Sequence, residues 1–575
     1  MEYLFLTAAL IFCLILVFLK QMYDQKKADA QTIKKLKENF GKENDVWDPE
    51  RVNAVSGYFR HHQDTFFIDD ITYHDLELDR IFAKMDITGS SAGQEYLYYM
   101  LRTPSFNGQE LAEREQKIRF LIEEEQTRVR LQFLYRKLGR TNKYSIYDYL
   151  EFLDTLGERR NGKHFAGWLL MAAALVILAI SAPLGLTALF GVISWNIVVY
   201  MKEKSKIEPY LVCFRYLFRA IEAAEKIGKV QELKKDPLFA DWLQKLQRTL
   251  RQFDSLKRSG RFGMHVMGGN GNPLELAADY SNMLLHLDLI GFNRMLHQVR
   301  IYHQDVDQLL TSLGETEALI AAASYRKALP VCCVPELSEN DTAEDIHFTA
   351  HDLYHPLIRD AVKNDIHAER GVLITGSNAS GKSTFLKAAA INAIFAQTIH
   401  TCAASCYGSS FFRVMSSMAL RDNLTSSESY YIVEIRSLKR ILDSIEKDAA
   451  PVLCFVDEVL RGTNTVERIA ASTKILESMY GKNVLCFAAT HDIELTELLE
   501  NCYDNYHFEE QIENGDIHFP YELLPGKATS RNAIRLLAVM GYEEEIISSA
   551  DWLAAYFLAN GHWEKTMERK EYNGC

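Results

Sequence analysis

One nine-residue stretch constrains this chain more than any other: Gly376-Ser377-Asn378-Ala379-Ser380-Gly381-Lys382-Ser383-Thr384. It follows directly on Val372-Leu373-Ile374-Thr375, an apolar run that reads as a buried strand. It leads directly into Phe385 to Gln397, which contains no Gly or Pro and reads as a helix. Strand, glycine-bounded loop and helix in that order form a P-loop. The glycines let the backbone turn tightly enough for successive N–H groups to face one anion, and the helix N-terminus adds partial positive charge. Gly376, Ser377, Asn378, Ala379, Ser380, Gly381, Lys382, Ser383 and Thr384 are therefore the expected ATP-binding residues. Lys382 would place a point charge at the β/γ-phosphates, and the Ser383 hydroxyl would ligate Mg²⁺.

Two further apolar runs complete the pattern. Pro451 to Val456 reads as a second buried strand and ends in Asp457-Glu458. In α/β folds ligands sit at the carboxyl ends of strands, which suits Asp457 as a Mg²⁺ partner and Glu458 as general base for a water. Asn483 to Ala489 reads as a third strand and ends in Thr490-His491, putting a histidine beside the γ-phosphate. The chemistry expected is Mg²⁺-dependent ATP hydrolysis, with Lys382, Glu458 and His491 as catalytic residues, Ser383 and Asp457 on the metal, and ATP and Mg²⁺ as cofactors.

These residues, with Asp422-Asn423-Leu424, Ser429-Tyr430-Tyr431-Ile432-Val433-Glu434 and Arg461-Gly462-Thr463-Asn464-Thr465 between them, resemble the ATPase domain of the MutS mismatch-repair family. The specific features are Asn378 inside the loop and a serine-led S-x-F/Y-x-x-E helix where transporter ATPases carry LSGGQ. The resemblance implies two ATPase domains face to face, hence a homodimer. Ser429 would reach the partner's nucleotide from its helix N-terminus, and Asn464, in the loop that would couple the two sites, would likewise serve the opposite site. His355-Pro356-Leu357-Ile358 resembles the family's approach to this domain, but the adenine-stacking position falls near Ala361 or Val362, so base packing is weaker or supplied elsewhere. Pro525 to Ile534, Gly541 and Ile546-Ile547 resemble the family's terminal element, with Ala533 where a glycine is usual. Ser90 to Pro104 resembles the start of the family's helical core, and Met295 to Tyr325 its long descending helix. The family's mismatch-reading domain, with its Phe-x-Glu wedge, has no counterpart ahead of Tyr73.

The formal charge of −13 and pI of about 5.8 supply no global basic field, so any DNA contact has to be local. Lys245, Arg248, Arg251, Lys257, Arg258 and Arg261 form the best candidate cluster for DNA, against the plainer reading of a solvated helix face. The ten cysteines include no C-x-x-C pair, and Cys402 and Cys406 lack companions for a metal site; reduced thiols are expected.

Two regions are apolar enough for a membrane. Tyr3 to Leu19 is followed by Lys20, Lys26 and Lys27, which places an uncleaved anchor with its N-terminus outside. Phe165 to Met201 is broken at Ser181-Ala182-Pro183-Leu184-Gly185 and reads as a hairpin. Arg159, Arg160 and Lys163 precede it and Lys202, Lys204 and Lys206 follow, so both flanks are cytoplasmic. The alternative for the hairpin is a buried helical pair. The expected fold is an α/β P-loop NTPase domain of ABC/MutS type joined to an all-α core and lever domain, with N-terminal transmembrane helices. The expected plan is an anchor at 1–22, a linker at 23–72, helical core at 73–160, hairpin at 165–201, core and lever at 202–340, ATPase at 341–550 and a helical tail at 551–575. Localisation would be a multi-pass cell-membrane protein with its ATPase domain in the cytoplasm. Three function classes follow: a membrane-tethered MutS-like ATPase that binds DNA in relation to repair, a protein-interaction switch without DNA, and a transporter ATPase, disfavoured by the missing LSGGQ.

Overall fold

The computed structural model describes residues 2–44, 52–63, 66–141, 144–157, 159–254, 280–338, 345–377, 379–418, 430–446, 449–460, 463–513, 516–528 and 540–563, with a few single positions between. Asn378, Ser429, Arg258, Arg261 and the Asp422-Asn423-Leu424 stretch lie outside them. By packing the chain divides into two units. One holds residues Met1–Phe67 and Asp79–Pro330, the other Ile68–Leu78 and Val331–Cys575.

Among its described residues the regular elements of the first unit are all helices. Its opening helix, Glu2–Asn39, overrides the expected boundary between anchor and linker at 22. Residues 20–39 are rich in Lys, Gln, Asp and Ala and hold no Gly or Pro, so nothing stops the helix before Gly41, whose φ of 79° ends it. The two hydrophobic helices, Gly162–Ile180 and Ala182–Ile227, break at Ser181 as the sequence reading expects. Among the described residues two stretches, Gly162–Ile180 and Ala182–Glu208, are long and apolar enough to cross a membrane, and 17 % of an 18-residue apolar window in each is buried, less than a helical pair hidden in a soluble core would show. The second helix runs on to Ile227 instead of ending at 201, because the Lys- and Glu-rich continuation keeps helix-forming residues. The long descending helix is in fact two, Leu287–Ile301 and His303–Ala328, separated at Tyr302.

The helices Ser91–Arg102 and His303–Ala328 cross at the centre of this unit. Gly314 permits the approach: a Cβ there would lie 2.6 Å from the Ala92 carbonyl oxygen. The crossing buries two carboxylates. Glu317 accepts from the Gly89 amide (2.5 Å) and from Ser90, and Glu95 from the Ser145 hydroxyl (2.6 Å) and the Tyr58 and Ile146 amides (3.1 Å each). Burial pushes Glu95 up to about 8 and Glu317 up to about 7.

The second unit contains twelve strands among its described residues: β1 Glu336–Ser338, β2 Phe348–Leu353, β3 Asn364–Ala368, β4 Gly371–Thr375, β5 Cys406–Ser410, β6 Arg413–Ser417, β7 Val452–Asp457, β8 Val484–Thr490, β9 Tyr503–His507, β10 Gln511–Glu513, β11 Asp516–His518 and β12 Leu524–Pro525. Six form the main sheet in the order β12-β9-β4-β8-β7-β6, parallel from β9 to β6. The interior strands are apolar on both faces because helices cover both; Leu373, Val452, Cys454, Val456 and Ala488 are all buried. Register then decides where the site lies. Thr375 of β4 is opposite Thr490 of β8, and Ala489 of β8 is opposite Asp457 of β7, so three segments far apart in sequence end on one edge. The expected division at 550 falls inside a helix, Glu544–Asn560.

Candidate nucleotide site

The loop after β4 has the backbone a P-loop demands. Gly376 has a φ of 148° and Gly381 of 114°, conformations an L side chain rarely adopts. At Gly376 a Cβ would also meet the Phe508 carbonyl oxygen at 2.8 Å and the Ser380 hydroxyl at 2.9 Å. Ala379 takes a left-handed φ of 65° without being glycine, a local strain held by its surroundings. Lys382 begins the helix Lys382–Thr398, and its Nζ donates to the Gly376 and Ser377 carbonyl oxygens at 2.8 and 2.7 Å. Ser377 Oγ donates to Glu510 at 2.8 Å.

Glu458 follows directly on β7 with a φ of 60°, and its amide donates to the Ala489 carbonyl (2.9 Å). His491 follows directly on β8. Its Nε2 lies 2.6 Å from Glu458 Oε1 and its Nδ1 2.8 Å from the Gly376 carbonyl oxygen. One imidazole therefore touches both the expected base and the phosphate loop. Nδ1 faces a carbonyl and so carries a proton; Nε2 then meets the carboxylate either as acceptor to a protonated Glu458 or as donor from imidazolium. Beside His491, Asp492 takes both arms of Arg468 at 2.8 and 2.5 Å, which ties the start of the helix Thr465–Glu477 to this loop. Asn464 caps that helix, its side chain accepting from the Val466 amide at 3.0 Å. The carbonyl oxygen is thus engaged locally, where the sequence reading gave Asn464 to the opposite site. Ser429, given the same role, lies outside the described residues, as does Asn378.

A cavity of about 670 Å³ opens against the loop, lined by Ala379 to Phe385 and Glu458 together with Tyr354, His355, Ile358, Val362, Phe508 and Tyr521. It is of a size to take a nucleotide. The Ser380 hydroxyl is buried there without a partner among the described residues, as a group awaiting a phosphate oxygen would be. For Mg²⁺ the chain offers the Ser383 hydroxyl and the Asp457 carboxylate. All-oxygen donors and few protein ligands suit this ion, which retains waters and phosphate oxygens. Among the described residues no cluster of three or more His, Cys, Asp or Glu could hold another metal, and the eight described cysteines are free thiols.

Tyr521 escaped the sequence reading. Ala361 and Val362 line the cavity as expected, and the aromatic faces come from Phe508 and Tyr521, whose rings lie 3.6 and 3.2 Å from where a Gly381 Cβ would stand. Asn364 fixes the tyrosine's backbone by donating to the Tyr521 carbonyl and accepting from the Leu523 amide. No spacing rule connects Tyr521 to a loop 140 positions earlier in the chain; only its aromatic neighbour Phe519 and the following Pro525-Gly526 hinted at a structured turn.

The candidate DNA cluster is partly dispersed. The helix Ala240–Gln252 buries Trp242, Leu243, Leu246 and Thr249, which leaves Lys245, Arg248 and Arg251 exposed on its opposite side. Lys257 instead pairs with Glu225 and Asp254, so its charge is already neutralised.

A parallel sheet carrying this loop, with an acidic pair and a histidine on its carboxyl edge, defines an ATPase-type P-loop α/β domain. Residues 372–557 match the family described as MutS domain V. Among curated proteins the chain is similar to the DNA mismatch repair protein MutS of Thermus aquaticus, 30 % identical over 222 residues, covering 37 % of this chain and 27 % of that protein. It is likewise similar to the DNA mismatch repair protein MutS of Rickettsia bellii, 31 % identical over 281 residues (45 % and 31 %). A third relative is the DNA mismatch repair protein MutS 2 of Haloarcula marismortui, 29 % identical over 201 residues (34 % and 21 %). Residues 372–557 are thus similar to domain V of the MutS family. The match spans less than a third of each of these relatives.

Proposed function

We propose that this chain is a membrane-tethered MutS-like ATPase that hydrolyses ATP in a Mg²⁺-dependent reaction, pairs as a homodimer through its ATPase domains, and binds DNA under nucleotide control. The observation that carries the reading is the His491 ring, held between Glu458, which lines the cavity, and the Gly376 carbonyl of the phosphate loop. Lys382, now seated on two loop carbonyls, would turn to the β/γ-phosphates, whose charge outcompetes neutral acceptors. The loop amides and the Ser380 hydroxyl would take the remaining phosphate oxygens. Ser383 and Asp457 would hold Mg²⁺, which when bound neutralises charge on the phosphates. Glu458 would orient the attacking water and accept its proton, and His491 would keep that carboxylate in place while sensing the γ-phosphate. Ser429 would complete the site of the opposing subunit.

The helices Gly162–Ile180 and Ala182–Glu208 support the tether, and the lysines and arginines flanking them favour a cytoplasmic ATPase. The relatives' names bring in DNA mismatch repair, and the exposed Lys245, Arg248 and Arg251 are the contact offered for nucleic acid. The test is ATP hydrolysis by the full chain, with Glu458→Gln as control, with and without duplex, mismatched and branched DNA across a salt series. A Glu458-dependent rate that DNA raises, with binding that weakens steeply with salt, supports the whole reading. A Glu458-dependent rate indifferent to every DNA leaves the ATPase and turns the assignment to a protein-interaction switch at the membrane.

A further inference from the structure

Residues Ile68–Leu78 pack with the ATPase unit, although the chain on both sides of them belongs to the helical unit. Within this segment Asp69 caps the short helix Asp70–Asp75, accepting from the Thr72 amide at 2.8 Å. The helix lies against β6, the edge strand of the main sheet, whose outer backbone groups would otherwise go unpaired. Thr72 Oγ1 accepts from the Ser416 amide at 3.1 Å, and Asp75 Oδ2 accepts from the Ser416 hydroxyl at 2.7 Å and the Met418 amide at 2.9 Å. Both side chains are buried.

Covering an edge accounts for those bonds but not for the pairs that flank them. Glu77 pairs with Lys387 of the P-loop helix at 2.8 Å. Asp69 pairs with Arg440 of the helix Tyr430–Asp443, and Arg440 also donates to the Ser416 carbonyl at 2.5 Å. One short segment thus grips the helix that follows the phosphate loop, the end of β6, and the helix that begins immediately after Ser429. Asp75 holds the Met418 amide just past β6, and Asp69 holds Arg440 within the helix Tyr430–Asp443.

We propose that Asp75 is a positioning residue for ATP turnover, and that the 68–78 segment is a strap that sets the helix Tyr430–Asp443 relative to the P-loop helix. This rests on the ATPase reading above. The partners named above, Ser416, Met418, Lys387 and Arg440, are not among the residues lining the nucleotide cavity. The strap therefore acts on the rate of turnover and leaves nucleotide affinity in place, since affinity is set by the loop itself.

The experiment uses the full chain in lipid nanodiscs and measures ATP binding and steady-state hydrolysis separately. Asp75→Ala removes the acceptor from Ser416 and Met418, and is expected to lower kcat about tenfold or more with ATP affinity within about twofold. Asp75→Asn keeps an oxygen at the same place and is expected to recover most of the rate. Should Asp75→Ala fail to fold, Asp69→Asn, which retains the helix cap but loses the charge facing Arg440, is expected to show the same split, as is Glu77→Lys, with Glu77→Lys/Lys387→Glu restoring the rate. Unchanged kcat in the folded variants, or affinity lost in step with kcat, overturns the strap while Glu458-dependent hydrolysis by the unmodified chain still stands. Absence of that hydrolysis removes the ATPase reading and the strap with it.

Discussion

Replacing Gly376 with alanine tests the site's backbone directly, and the structure supplies its own control. At Gly376 two penalties combine. A φ of 148° is nearly closed to L residues, costing about 1–3 kcal/mol. The new Cβ would also stand 2.8 Å from the Phe508 carbonyl oxygen, a backbone atom that cannot rotate away, and overpacking of this kind costs about 1–3 kcal/mol more. Gly481, on the turn before β8, has a φ of 69° with nothing within 4 Å of its Cβ, so Gly481→Ala carries only a backbone penalty of about 1–2 kcal/mol. Gly376→Ala should therefore lower the stability of the ATPase unit by roughly 2–6 kcal/mol, clearly more than Gly481→Ala. It should also abolish ATP binding, because the Gly376 carbonyl that the clash displaces is the one both Lys382 and His491 contact. Hydrogen exchange of β4 and β8, together with fluorescent-nucleotide titration, reads both effects. Equal exchange in the two variants, or nucleotide binding retained by Gly376→Ala, would refute the reasoning.

Tyr521→Ala should raise KM for ATP several-fold with little change in kcat, since an aromatic face contributes to binding in ground and transition states alike; steady-state kinetics checks it. Glu95 and Glu317 have folded values above their ordinary one, so the stability they contribute is fully present below about pH 4.5 and is lost as pH rises through about 7 for Glu317 and about 8 for Glu95. Protection of the helix Ser91–Arg102 against hydrogen exchange, corrected for intrinsic rates, should fall across that window, and Glu95→Gln should flatten the profile. Substituting Lys245, Arg248 and Arg251 together by glutamine should lower the slope of log affinity for DNA against log salt by about 2–3, with no change in DNA-free hydrolysis; the same substitution at Lys257 should change the slope little, because that lysine is already ion-paired.

The backbone of the phosphate loop was legible because its demands are local: two glycines at positive φ and a helix that starts on cue at the lysine. The break at Ser181 was legible for the same reason, since a small-residue turn with a proline interrupts an apolar run wherever it occurs. The continuation of the first helix to Asn39 was in the sequence too, in twenty residues without a breaker, and only the expectation of a linker hid it.

The rest required partners that sequence proximity does not supply. That Asp457-Glu458 and His491 reach one phosphate loop follows from β8 lying between β4 and β7, a choice of strand order and register that no local pattern encodes. Tyr521 reaches the cavity because Asn364, on a strand of another sheet, holds its backbone. Lys257 reads as one more charge in a basic run until Glu225, on a different helix, takes it. The Ile68–Leu78 segment reads as the end of a linker and the start of the helical core until an edge strand uses its Thr72 and Asp75 to satisfy its outer groups. Backbone conformation and helix starts are paid for within a few residues, so the sequence alone determined them; burial, hydrogen-bond satisfaction and charge pairing are settled between segments, so only the tertiary structure could decide them.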